Sequence, residues 1–88
     1  MLDLDEAAAE IQSKSRAQIE SDTAWKWASR AIVCMRLAKT APTGRVLTWV
    51  RRSEDYEHEA LEHAAMVRDN GATLIAIEGA FATERASS

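Results

Sequence analysis

The only strong helix-breaking segment of this chain is Thr40-Ala41-Pro42-Thr43-Gly44, which contains its single proline. Proline disfavours helical backbone at the residue before it, and the order Pro-x-Gly is typical of a turn. The rest of the 88 residues favour helix, because seventeen of them are alanine and only three are glycine. We therefore expect an all-α chain that forms a single helical domain over residues 1–88.

A weaker signal for a helix end lies at Asp69-Asn70-Gly71, where Asn and Gly suit a left-handed cap. The two breaks together predict helix 1 up to about residue 40, a turn over 41–45, helix 2 over about 46–69 and a short helix 3 over about 72–84. The polar stretch 12–21 leaves two options for helix 1. It is either continuous or interrupted, with Asp22 capping a new start.

Apolar residues form two stripes on each long helix, at spacings of three and four. Those of helix 1 are Trp25, Ala28, Ile32 and Met35, and Ala24, Trp27, Ala31 and Cys34. Those of helix 2 are Trp49, Tyr56, Ala60, Ala64 and Val67, and the weaker set Leu47, Leu61 and Ala65. An antiparallel two-helix hairpin covers one face of each helix, and a short helix 3 supplies part of the remaining cover. We expect two hairpins to dimerise into a four-helix bundle, with a closed monomer as the alternative.

Charge and composition argue against several classes of partner. The 14 acidic and 11 basic residues give a net charge of -3, and the basic residues are scattered, which is unsuited to nucleic acid. No apolar run approaches the ~20 residues of a membrane span. The acidic amino terminus is unlike a secretory signal, and a single cysteine fits a reducing compartment, so we expect a cytoplasmic protein.

The segment 54–63 contains both histidines of the chain together with five carboxylates. At helical spacings it forms two clusters, namely Asp55, His58 and Glu62, and Glu59 with His63. Carboxylate and imidazole together suit iron, manganese or zinc, and Glu20 on helix 1 is a candidate for a further ligand. The alternative interpretation is a solvated acidic helix face that has no metal.

The run Arg52-Ser53-Glu54-Asp55-Tyr56-Glu57-His58-Glu59-Ala60-Leu61 resembles a segment of the encapsulated ferritins, a branch of the ferritin-like superfamily. Their comparable run is Arg-x-Glu-Glu-x-Glu-His-Ala-x-Met, followed by a basic, Asn/Asp-rich helix end that is similar to Arg68-Asp69-Asn70. The resemblance implies half-ferritin hairpins that pair and assemble into rings. It further implies a di-iron site between subunits at which O₂ oxidises Fe(II), and an encapsulin-type shell that encloses the protein in a nanocompartment.

Residue by residue, the resemblance assigns the family's Glu-x-x-His to Asp55 and His58, and its first-helix Glu to Glu20. These three are then the expected catalytic ligands. A shifted register of the metal motif would use the other candidates of the segment, namely Glu59, Glu62 and His63. Three hypotheses stand at this point: a ferroxidase, a non-enzymatic helical oligomerisation or interaction protein, and a mononuclear zinc or manganese site of structural use.

Overall fold

The computed structural model describes the backbone over residues 4–87 and the side chains over residues 16–87. That part of the chain contains three α-helices: α1 (Leu4–Thr40), α2 (Val46–Met66) and α3 (Ala72–Ala86). A single 3-10 turn, Thr43–Arg45, joins α1 to α2, and no strand occurs among these residues. The prediction of an all-α chain with three helices is confirmed.

Helix α1 is continuous through the polar stretch 12–21, so Asp22 does not cap a new helix. Its carboxylate instead accepts a hydrogen bond from Gln18 Nε2 at 2.7 Å, one helical turn earlier. The hydroxyl of Thr23 donates to the carbonyl oxygen of Ile19 at 2.8 Å. Both hydrogen bonds join groups one turn apart on the surface of α1, so they leave the backbone hydrogen bonds of the helix intact. With 37 residues, α1 is about 55 Å long.

Helix α2 ends at Met66, three residues before the predicted end. Val67 leaves the helical conformation, with φ −72° and ψ 131°, and its side chain is buried in the core. Asn70 and Gly71 do adopt left-handed backbone, with φ 57° and 80°. They precede α3, however, because the chain has already left α2 when it reaches them.

Helix α3 begins with a side-chain bond from the connecting loop and extends to Ala86, two residues beyond the prediction. The Asp69 carboxylate accepts a hydrogen bond from the backbone N–H of Thr73 at 3.0 Å. At the other end Lys39 of α1 donates from Nζ to the carbonyl oxygen of Glu84 at 3.1 Å. This bond satisfies a carbonyl that the last turn of a helix leaves without a partner.

Small residues form the contact between α1 and α2, so the two helices lie close together. The buried alanines are Ala24, Ala28, Ala31, Ala60 and Ala64. Two large side chains of α3, Ile77 and Phe81, are completely or almost completely buried against them. The core therefore lies where the three helices meet, and α3 supplies its bulk.

Polar contacts fix α3 on one side of the α1–α2 pair. The Arg36 guanidinium donates to both carboxylate oxygens of Glu84, at 3.1 and 3.2 Å, and the hydroxyls of Ser21 and Thr73 are 3.2 Å apart. The molecule measures 65 × 18 × 18 Å. Within residues 4–87 no helix has the length and apolar character that a bilayer span requires.

Candidate functional site

The side of the α1–α2 pair that faces away from α3 carries partly exposed aromatic residues and several of the candidate ligands. We call it the open face. Its residues are Glu20, Thr23, Trp27, Arg30, Cys34 and Leu37 on α1, and Trp49, Arg52, Tyr56, Glu59, His63 and Met66 on α2. In both helices these positions recur at alternating spacings of three and four, which places them on one side of each helix.

Trp27 lies at the middle of the open face and contacts three other side chains. Its ring is stacked on His63, with a centroid distance of 6.2 Å and an interplanar angle of 5°, and lies 5.8 Å from the Tyr56 ring. The guanidinium carbon of Arg30 is 4.9 Å from the Trp27 centroid, within the range of a cation–π contact. Trp27 is nevertheless only half-buried, so it presents apolar surface to solvent.

An apolar groove of about 330 Å³ lies on one half of the open face. It is lined by Ser29, Arg30, Val33, Cys34, Leu37, Trp49 and Tyr56. Val33 is 53% exposed, and the guanidinium carbon of Arg52 is 5.1 Å from the Trp49 ring centroid. Burial raises the pKa of the Cys34 thiol above its ordinary value, and the charge of Arg52 opposes this in part. Cys34 is thus a small buried residue at the floor of the groove's apolar lining.

A smaller cavity of about 210 Å³ lies on the other half of the open face. It is lined by Ile19, Glu20, Thr23, His63 and Met66. The Oε2 atom of Glu20 is buried and has no hydrogen-bond partner among the described residues. The His63 Nε2 atom lies 3.7 Å from Glu59 Oε2. Three of the predicted site residues, Glu20, Glu59 and His63, therefore lie on the same half of one surface.

The remaining predicted ligands lie elsewhere on α2. Asp55, His58 and Glu62 are all exposed, and His58 Nε2 is 3.0 Å from Glu62 Oε1. The cause is helical geometry, because one residue along a helix rotates the side chain by about 100°. His58 therefore points to solvent, whereas its neighbour Glu59 borders the open face.

A single chain does not bring Glu20, Asp55 and His58 around one point. Among the residues whose side chains are described, no group of three or more His, Cys, Asp or Glu side chains is arranged to hold a metal ion. The ligand set implied by the ferritin resemblance thus does not fit within one copy of this chain.

Comparison with known proteins finds no matching family model, no matching curated protein and no matching solved structure.

Two residues of the open face, Arg30 and Arg52, are not among the site residues that the sequence predicts. Each lies three residues after a tryptophan, in Trp27-x-x-Arg30 and Trp49-x-x-Arg52. Side chains at that spacing are neighbours on a helix, and both pairs form cation–π contacts. The repeated Trp-x-x-Arg spacing is thus the signal that would have identified them.

Proposed function

We propose that the protein is a helical self-association module in which two copies pair through the open face. The observation that carries this proposal is the row of half-buried aromatic rings, Trp27, Tyr56 and Trp49, which lies beside two apolar cavities. Exposed aliphatic side chains extend the row at both ends, with Met66 65% and Leu37 38% exposed. Surfaces of this kind mark interaction sites, and buried Trp and Tyr side chains dominate binding energies at such interfaces.

Contacts along the two helices support an antiparallel hairpin as the unit that pairs. Thr23 shares a cavity with Met66 at the end of α2, whereas Leu37 shares the groove with Trp49 near its start. Residue numbers thus rise along α1 as they fall along α2. Two such hairpins joined at their open faces would form a four-helix bundle, with each α3 on the outside.

Static light scattering after size-exclusion chromatography tests the proposal. We expect the parent chain to have twice the 9.7 kDa mass of one copy. The double variant Val33→Glu, Met66→Glu should be monomeric, because it places two carboxylates on apolar parts of the open face. Both side chains are more than half exposed, so the helical circular dichroism signal should not change.

Ile75→Glu is the matched control, because Ile75 is 69% exposed but belongs to α3. This variant should remain dimeric. A parent chain with the mass of one copy, or an Ile75→Glu variant that dissociates as readily as the double variant, would contradict the proposal.

A second candidate function is ferritin-like iron binding with ferroxidase activity at the subunit interface. The buried Glu20 Oε2, which faces the same cavity as His63, favours it. Under this candidate, the carboxylates and histidines of two copies have to adjoin. Zinc or manganese would suit the same donors. An encapsulin-type shell and a nanocompartment location belong to this candidate alone, whereas the first requires only a reducing cytoplasm.

Aerobic addition of Fe(II) tests the second candidate, with bound iron and ferric absorbance as readouts. We expect Glu20→Gln, His63→Ala to lose binding. Asp55→Asn, His58→Ala is the matched control, because it removes the same chemical groups from the outer side of α2. Equal iron binding by the parent and both variants would rule out a site on the open face.

A further inference from the structure

Four charged residues of the open face have an order that becomes complementary to itself when one copy is reversed. Along the surface, from the end of α2 towards the turn, the order is Glu20, Glu59, Arg30 and Arg52. Glu20 shares a cavity with Met66, and Glu59 contacts His63 one turn further along. Arg30 borders the groove, and Arg52 lies over Trp49 near the start of α2. Two negative charges are thus followed by two positive ones.

We propose that two copies pair through the open face with their helix directions reversed, so that the carboxylates of each copy meet the guanidinium groups of the other. This rests on the self-association proposed above and adds its orientation. Reversal converts the order acid, acid, base, base into base, base, acid, acid, so each of these carboxylates opposes a guanidinium group of the other copy. Parallel pairing would set acid against acid and base against base, which is destabilising.

The two-fold axis of such a pair passes near the aromatic rings. Trp27, which contacts Arg30 and His63, and Tyr56 lie 5.8 Å apart near the middle of the open face. A two-fold axis at this level makes the interface isologous, with the same residues contributed by both copies, as is commonest for dimers. The apolar rings then supply affinity, while the flanking charges select the orientation and accelerate encounter.

Reversed pairing also separates the two copies' carboxylate halves. The two Glu20 side chains lie at opposite ends of the pair, each facing a basic half. A ligand set built from the Glu20 residues of both copies cannot form in that arrangement. The orientation therefore distinguishes this pair from an interface di-iron site.

Charge reversal tests the orientation in the full chain. We expect Arg30→Glu, Arg52→Glu to weaken self-association by more than about tenfold, and Glu20→Arg, Glu59→Arg to do the same. An equimolar mixture of the two variants should regain the parent dimer, because both ends of the mixed pair carry opposite charges. Sedimentation equilibrium and static light scattering measure these masses.

Arg51→Glu, Arg68→Glu is the matched control for Arg30→Glu, Arg52→Glu, because it changes the net charge by the same amount at two exposed positions outside the open face. Its dimerisation should equal that of the parent. The parent dimer should also weaken as sodium chloride is raised, whereas association driven by apolar burial alone would not. The salt dependence is measured on the parent chain alone, so it does not depend on whether any variant folds.

The outcomes separate this inference from the proposed function. A dimeric parent whose two charge-reversed variants associate as tightly as it does, or whose mixed variants do not recover, overturns the reversed orientation and leaves self-association intact. A dimer whose association does not depend on the sodium chloride concentration also overturns the reversed orientation and leaves self-association intact. A monomeric parent overturns both.

Discussion

At the scale of single residues, Phe81 is the largest of the fully buried side chains of the core. It is almost completely buried where α3 meets the alanines of α1 and α2. Phe81→Ala should lower the free energy of unfolding by about 3–5 kcal/mol, because the rigid alanine surface cannot collapse into the cavity. Urea unfolding at constant protein concentration measures the change.

Ile75→Ala is the control for this prediction, since it truncates a large apolar side chain of the same helix that is 69% exposed. Its effect should stay within about 0.5 kcal/mol. If Phe81→Ala and Ile75→Ala lowered the free energy of unfolding by similar amounts, Phe81 would not be the residue that packs α3 against the core.

At the scale of elements, two glycines of similar surroundings should respond in opposite ways to substitution by alanine. A Cβ atom at Gly71 or Gly79 would meet no heavy atom within 4 Å, so crowding plays no part at either position. Gly71 has φ 80° and precedes α3, so Gly71→Ala should cost about 1–2 kcal/mol. Gly79 lies within α3, so Gly79→Ala should stabilise the protein by about 0.5–1 kcal/mol.

Thermal unfolding followed by circular dichroism compares the two glycine variants directly. A lowered midpoint for Gly71→Ala together with a raised one for Gly79→Ala is the expected pattern. Changes of the same sign in both would show that backbone conformation does not govern the join between α2 and α3.

The helices were predictable because their signals are local. Pro42 and the left-handed pair Asn70 and Gly71 lie where the chain turns, as expected. The end of α2 was not predictable, since a valine alone does not end a helix, and Val33, Val46 and Val50 all lie within helices. That residue leaves the helix while its side chain enters a core shared with other helices.

The candidate site was predictable only in part, for a similar reason. Helical spacing correctly separates the His58 cluster from the His63 cluster, and both intrahelical pairs occur. The sequence places Glu59 and His63 at the edge of the apolar stripe of helix 2, but it does not give the rotation of α2 against α1, which decides how closely His63 approaches Trp27. The packing of Ala60 and Ala64 sets that rotation and turns His63 towards Trp27.

At the scale of the whole molecule, the Glu84 carboxylate fastens α3 to α1 in a pH-dependent way. Hydrogen bonds from Arg36, together with the charges of Arg36 and Lys39, lower the pKa of Glu84 below its ordinary value. A carboxylate whose pKa is lower in the folded state stabilises the fold above its unfolded pKa. That stability is lost as the pH falls through the folded value.

We therefore expect Glu84→Gln to lower the melting temperature at neutral pH, and this difference from the parent should vanish in strongly acidic solution. Glu78→Gln is the control, because Glu78 is an exposed carboxylate of the same helix. Thermal scans over a pH series measure both variants. A Glu84→Gln deficit that persists unchanged into acid would contradict this role for the ionised carboxylate.

The length of α1 gives the chain the outline of a short rod. It has 37 residues against 21 in α2, and the molecule is more than three times as long as it is wide. A rod experiences more friction than a sphere of equal mass, so it diffuses slowly and leaves a gel-filtration column early. One chain will therefore elute near where a globular pair of chains would, so the two are distinguished by methods that depend on mass, such as light scattering, and not by elution volume.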